Sequence, residues 1–145
     1  MNQSTDTVKG FSLIELLIVV AVIGIIAAMA IPSLQSSRRA ANEAAAIGYM
    51  RTWSSAQELY FQRFGVYATD DDLMVAAGLI GNPDPDRMGY FYMIDGITSD
   101  TWYGQGQPQV PGVTGDRYFF IDESGVIRWA LGGPATAESP PLGAD

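Results

Sequence analysis

The side chains able to do chemistry in this 145-residue chain are few in kind. There is no His and no Cys, which removes imidazole bases, thiolate nucleophiles, disulfides and the usual zinc ligand sets. The single Lys, Lys9, lies in a polar N-terminal stretch and has no pattern around it for a Schiff base or a phosphate loop. Acid–base work would fall to carboxylates and tyrosines. Sixteen Asp and Glu stand against eight Lys and Arg, a formal charge of −8, and Arg38–Arg39 is the only adjacent basic pair. That balance opposes nucleic-acid binding, which depends on clustered cations to displace counterions.

Two placements of acid invite a chemical reading. Asp70, Asp71, Asp72, Asp84 and Asp86 crowd one segment and together could take Ca²⁺. The EF-hand spacing is absent, however, and "TDDDLMVAAGLI" reads more simply as a helix with Thr69 as its cap, an acidic first turn and Gly78 at its end. No metal and no cofactor is expected, and no nucleophile–base pair stands out by spacing, so no catalytic residue is assigned. The other placement is Glu15, the only charged residue among the 21 from Phe11 to Ile31. As a helix that run is about 32 Å long, enough to cross a bilayer. A lone charge at the centre of such a span costs about 2.5–3.5 kcal/mol, and less near an end. A secretory signal, for which "AAMA" at 27–30 would be the cleavage site, has no use for Glu15, and neither has a plain anchor.

The elements that must position these groups follow from periodicity. Residues 16–37 carry no charge, and Ala21, Gly24, Ala27, Ala28 and Ala30 are small enough for close helix–helix approach. Pro32 predicts a kink or local melting near Ala28. The chain beyond is polar but helix-prone, with Tyr49, Trp53, Ala56, Tyr60 and Phe64 in one apolar stripe that reads as the face covered by a sheet. Gly65 ends the helix. A helix from about 12 to 64 would be about 80 Å long, too long for one compact domain of this size. "GNPDPDRMG" reads as a loop.

Strands are predicted at 89–95, 116–122 and 125–131. The last two form a hairpin turned at Glu123-Ser124 with Gly125 left-handed. A short strand is expected near 101–103, "GQGQPQVPGVTG" as a flexible connection, and "GGPATAESPPLGAD" as a mobile tail. The fold class is α+β: a long N-terminal helix, half membrane-spanning and half amphipathic, packed on a small antiparallel sheet of three or four strands. The expected divisions are a leader at 1–10, an apolar helix at 11–32, an amphipathic helix at 33–64, a loop with a short helix at 65–88, a β-meander at 89–131 and a tail at 132–145.

"KGFSLIELLIVVAVIGIIAAMAIPSLQSSRRAA" resembles the start of a type IV pilin or a type II secretion pseudopilin. The resemblance implies a leader ending at Gly10, cleavage before Phe11 by a prepilin peptidase and N-methylation of Phe11. Gly24 and Pro32 match the family's helix-softening positions, and with Glu15 they are the assembly residues. A freed α-amino group on Phe11, with a reference pKa of about 7.7–8.0, is a natural partner for Glu15 of a neighbouring subunit. Such a pair would set axial register, as buried polar groups do elsewhere.

More loosely, "AQELYFQRFGVYA", "LMVAAGLI" and "YFFIDESGVIR" resemble elements of pilin-like heads. The implied partners are copies of itself, other pilin-like subunits, the peptidase, an inner-membrane assembly platform and, before assembly, the membrane. The implied function is a structural subunit of a surface filament for adhesion, motility or DNA uptake. The alternative is a secretion pseudopilus subunit; an anchored enzyme or sensor is more distant. The precursor would sit in a bacterial inner membrane with its head outside the cytoplasm, and the product in an extracellular pilus or periplasmic pseudopilus. Many pilins close their C-terminal loop with a disulfide and major pseudopilins often with Ca²⁺; without Cys, this chain departs from the former.

Overall fold

The computed structural model describes residues 10–81, 89–95, 98 and 100–143. Its elements in order are α1 (Leu13–Phe64), α2 (Asp71–Ala76), β1 (Tyr90–Asp95), β2 (Tyr103–Pro108), β3 (Arg117–Asp122) and β4 (Arg128–Leu131). The chain divides into two units between Ser36 and Ser37, and α1 contributes to both.

In the first unit every large apolar side chain from Leu13 to Leu34 is exposed, which leaves the segment with no core of its own. This stretch of α1 is long and apolar enough to cross a membrane by length and composition. Residues 28–36 are helical throughout, so the melting expected near Ala28 does not occur. Pro32 removes a single donor, and the hydrogen bonds on either side carry the helix past it.

The second unit is an antiparallel four-stranded meander, ordered β1-β2-β3-β4, with α1 on its inner face. One core cluster joins Ala46 and Met50 of α1 to Tyr90, Trp102, Phe119, Ile121 and Ile127. A second joins Trp53 and Ala56 to Ala68, Met74 and Ile80, with Tyr92 packed against both. The β3–β4 turn forms as its residues dictate. Gly125 has φ 71° and its N–H donates to Asp122 O, while the Asp122 carboxylate accepts from the Ser124 N–H.

Two expectations about the head need correction. "GQGQP" is no flexible connection; it is most of β2, an inner strand paired with both neighbours. A Cβ on Gly104 would lie 2.7 Å from Trp53 Cζ3, and one on Gly106 would lie 3.4 Å from Met50 Sδ. The glycines keep the inner face of β2 bare so that the large side chains of α1 can lie directly on it.

The C-terminal segment, likewise, is docked through residue 143. Trp129 N–H donates to Pro140 O, Leu142 N–H to Ile127 O, and Arg128 Nη1 to Ser139 O. Ala135 is buried and Leu142 packs on the first cluster. The segment covers the free edge of β4, and its prolines offer no donors for further pairing.

Candidate functional site

Gly10, Phe11 and Ser12 precede α1, and Phe11 is 81% exposed. The bond between Gly10 and Phe11 therefore lies in non-helical, exposed chain. Ser12 accepts the first helical hydrogen bond, from Leu16 N–H, and donates its own N–H to Glu15 Oε2 at 3.2 Å. Glu15 is thus the third helical residue reaching back to the residue before the helix, half of a capping box. Its carboxylate is hydrogen-bonded within its own chain, at the helix end where negative charge is favoured. The "SLIE" spacing carries this signal, and Ser12 belongs with the candidate residues for that reason. Gly24 has open space where a Cβ would be, a notch in the exposed apolar surface, and Pro32 lies inside α1.

The second unit places the predicted stripe in part. Trp53 and Ala56 are buried, and Tyr49 and Tyr60 are half-buried against the second cluster. Phe64 is 50% exposed and is not a core residue. It lies eleven residues from Trp53, about three turns along the same face, so its exposure is an axial matter. The layer over α1 stops short of the last turn, where Tyr60, Phe64, Leu73 and Ala77 line an open groove. The buried face instead begins earlier, at Glu43, and includes Ala46, Met50 and Gln57.

Sequence reasoning passed over the two buried polar groups of that face. Gln57 is fully buried and clasps Ala68 twice, donating from Nε2 to its carbonyl at 2.9 Å and accepting its N–H at 2.8 Å. This ties the chain after α1 back onto the helix. Glu43 accepts from Asp116 N–H at 2.8 Å, Arg117 N–H at 3.2 Å and Arg117 Nε at 2.7 Å. Burial acts to raise its pKa, but these bonds together outweigh burial and hold the carboxyl below its ordinary value.

The acidic run is spent on structure. Asp70, one residue later than expected, is the cap of α2 and accepts Leu73 N–H at 2.9 Å. Asp71 accepts from Trp53 Nε1 at 2.9 Å and Tyr49 Oη at 3.2 Å. Burial raises the Asp71 pKa above the usual range, and the charges of Asp70 and Asp72 add to it against the lowering by those two donors. The Tyr49 hydroxyl is pushed up by burial and by the Asp71 carboxylate. Asp84 and Asp86 lie outside the described residues. Among the described residues no group of three or more carboxylates is arranged to hold a metal ion.

An exposed apolar helix with an acid in its first turn, followed by a small antiparallel head, defines a pilin-like architecture. Residues 6–31 match the prokaryotic N-terminal methylation motif. The type IV wide pilus major component PilA4 of Thermus thermophilus is 39% identical over 75 residues, 52% of this chain and 57% of its own. A type IV major pilin protein PilE1 of Neisseria gonorrhoeae is 28% identical over 137 residues, 90% of this chain and 61% of its own. Type II secretion system core protein G of Pseudomonas aeruginosa is 29% identical over 109 residues, 74% and 77% of the two chains. The matched region is thus about three fifths of the length of the first two relatives. The chain is similar to type IV pilins and type II secretion pseudopilins, with the methylation motif at its N-terminal end.

Proposed function

We propose that the chain is a structural subunit, made as a membrane precursor, cut between Gly10 and Phe11, N-methylated on Phe11 and polymerised through α1 into a helical filament. The observation that carries this reading is the coincidence of the methylation motif at residues 6–31 with a helical segment whose large apolar side chains are all exposed. Such a surface is at rest only in lipid or among other helices. Cleavage turns the Phe11 amide into an amine, which gives Glu15 a cation to meet on a neighbouring subunit in place of the Ser12 N–H. A contact between unlike surfaces that does not close on itself propagates as an open filament. The peptidase, an assembly platform in the inner membrane and other pilin-like subunits are the partners this scheme requires, with the head outside the cytoplasm. No catalytic role is read into the chain.

The product is a surface pilus in this reading. The likeness to the secretion core protein, over 74% of this chain, favours a pseudopilus as the second one. Mass spectrometry of the mature N-terminus tests the common step: a chain beginning at methylated Phe11 is expected, and one beginning after Ala30 overturns it. Electron microscopy of sheared cells then separates the two products, since only a surface pilus yields detached fibres.

A further inference from the structure

The second unit carries an apolar projection and an apolar recess. The projection is the loop between β2 and β3, "QVPGVTG" at 109–115, which has no charged residue. It is an ordered turn: Val110 O accepts the N–H groups of Val113 and Thr114, Val110 N–H donates to Thr114 Oγ1 at 3.0 Å, and Gly112 N–H donates to Gly115 O. Its two large apolar side chains nevertheless face solvent, Val110 at 50% and Val113 at 64% exposure. The recess is the groove between the last turn of α1 and α2, lined by Tyr60, Phe64, Leu73 and Ala77. Its volume of ≈ 270 Å³ falls short of the roughly 300–1,000 Å³ of small-molecule pockets, a size for side chains of another chain rather than for a cofactor.

The two features lie far apart along the part of α1 that belongs to this unit. Going backwards from β3, Glu43 binds Asp116 and Arg117, Asn42 Nδ2 donates to Thr114 O at 2.9 Å, and Arg39 Nη1 donates to Gly112 O at 3.3 Å. The loop tip is therefore held at Arg39, whereas the groove begins at Tyr60 and includes Phe64, the last residue of the helix. From Arg39 to Phe64 is roughly 38 Å of helix. One copy cannot fill its own groove with its own loop, but two copies can. Charge agrees with such a pairing. Residues 37–42 hold Arg38 and Arg39 and no acid, whereas residues 69–72 hold three Asp and no cation. Arg39 is paired with Asp116 at 3.0 Å, and Arg38 is exposed. At the groove, the exposed Asp72 stands one helical turn before Ala76, which lines the rim.

We propose that the heads stack on one another, with Val110 and Val113 of one copy seated in the groove of Tyr60, Phe64, Leu73 and Ala77 on the next, and Arg38 of the first copy facing the acids of α2. The inference rests on the filament reading and adds to it a contact made by the heads alone. Both surfaces are apolar and exposed in a single copy, the condition that marks protein–protein contacts. Because projection and groove are different surfaces, every added copy presents one of each, and the contact propagates without closing. The exposure of Phe64 at the end of α1 then marks where the next copy binds.

The absence of cysteine permits a direct test in filaments recovered from cells that make the full chain, whether sheared from the surface or released from the envelope. Val113→Cys and Ala77→Cys are introduced singly and together, the filaments are oxidised with copper phenanthroline, and the products are sized and mapped by mass spectrometry. The double variant is expected to give a ladder of covalent multimers joined between positions 113 and 77. Cells making both single variants should give dimers at most, and either single variant alone should stay monomeric. Filaments in which 113 and 77 do not join overturn the proposal and leave the filament reading standing. So does a bond between two 113 positions, or from 113 to a different protein. An unsubstituted chain that is never recovered as polymer overturns the filament reading itself, and the stacking with it. Val113→Asp, on an exposed loop, gives a second measurement. Filament yield is expected to fall several-fold with the melting temperature unchanged, and full yield overturns the stacking.

Discussion

Glu43 and Asp71 are two partly hidden carboxylates whose pKa values move in opposite directions, and their contributions to stability follow. Glu43 is held below its ordinary 4.5, so its bonds stabilise the fold fully above that pH and fade as pH falls through the lowered value. Asp71 is raised above its ordinary 3.8, so its ionised form costs stability at neutral pH, and that cost is relieved as pH falls through the raised value. Glu43→Gln leaves Arg117 without its counter-charge and should cost about 2–3 kcal/mol, about 10–20 °C in melting temperature for a domain of this size. The gap to the native protein should narrow below pH 4.5, read by tryptophan fluorescence of the full chain in detergent. Asp71→Asn, which removes a partly buried charge but keeps one acceptor, should change stability at neutral pH by less than about 1 kcal/mol. It should also abolish the relief on acidification. Neither role was legible in the sequence. "AANEAAA" reads as a solvated helix face, because the partners that bury Glu43 are 73 and 74 residues away.

At the scale of elements, β2 shows what composition hides. Alternating Gly and Gln have low strand propensity in isolation, and the segment reads as a linker because nothing within it says that Trp53 and Met50 need bare backbone to rest on. The two contacts differ in kind. Gly104 faces the rigid indole at 2.7 Å, whereas Gly106 faces a flexible thioether at 3.4 Å. Gly104→Ala should therefore destabilise by about 1–3 kcal/mol and Gly106→Ala by less than about 1 kcal/mol, measured by thermal melting of each variant. Equal effects would mean that Trp53 can yield. The hairpin at Gly125, by contrast, was readable, since its turn chemistry lies within five consecutive residues.

For the whole molecule, what the sequence reveals and what it hides divide along the same line. The N-terminal motif is contiguous, so its spacing survives without any knowledge of packing; the head is an agreement among distant residues. If α1 assembles through Glu15, Glu15→Ala should leave insertion and cleavage nearly intact while filament yield falls several-fold, scored by fractionation, N-terminal mass and fibre counts. Unchanged polymerisation would remove Glu15 from the register. The docked C-terminal segment bears on another requirement of such a subunit, its maturation. Its closure is made by backbone carbonyls, Arg128 and a buried alanine, and the chain has no thiol to oxidise. The head therefore folds without a disulfide step, and its closure does not depend on thiol–disulfide exchange.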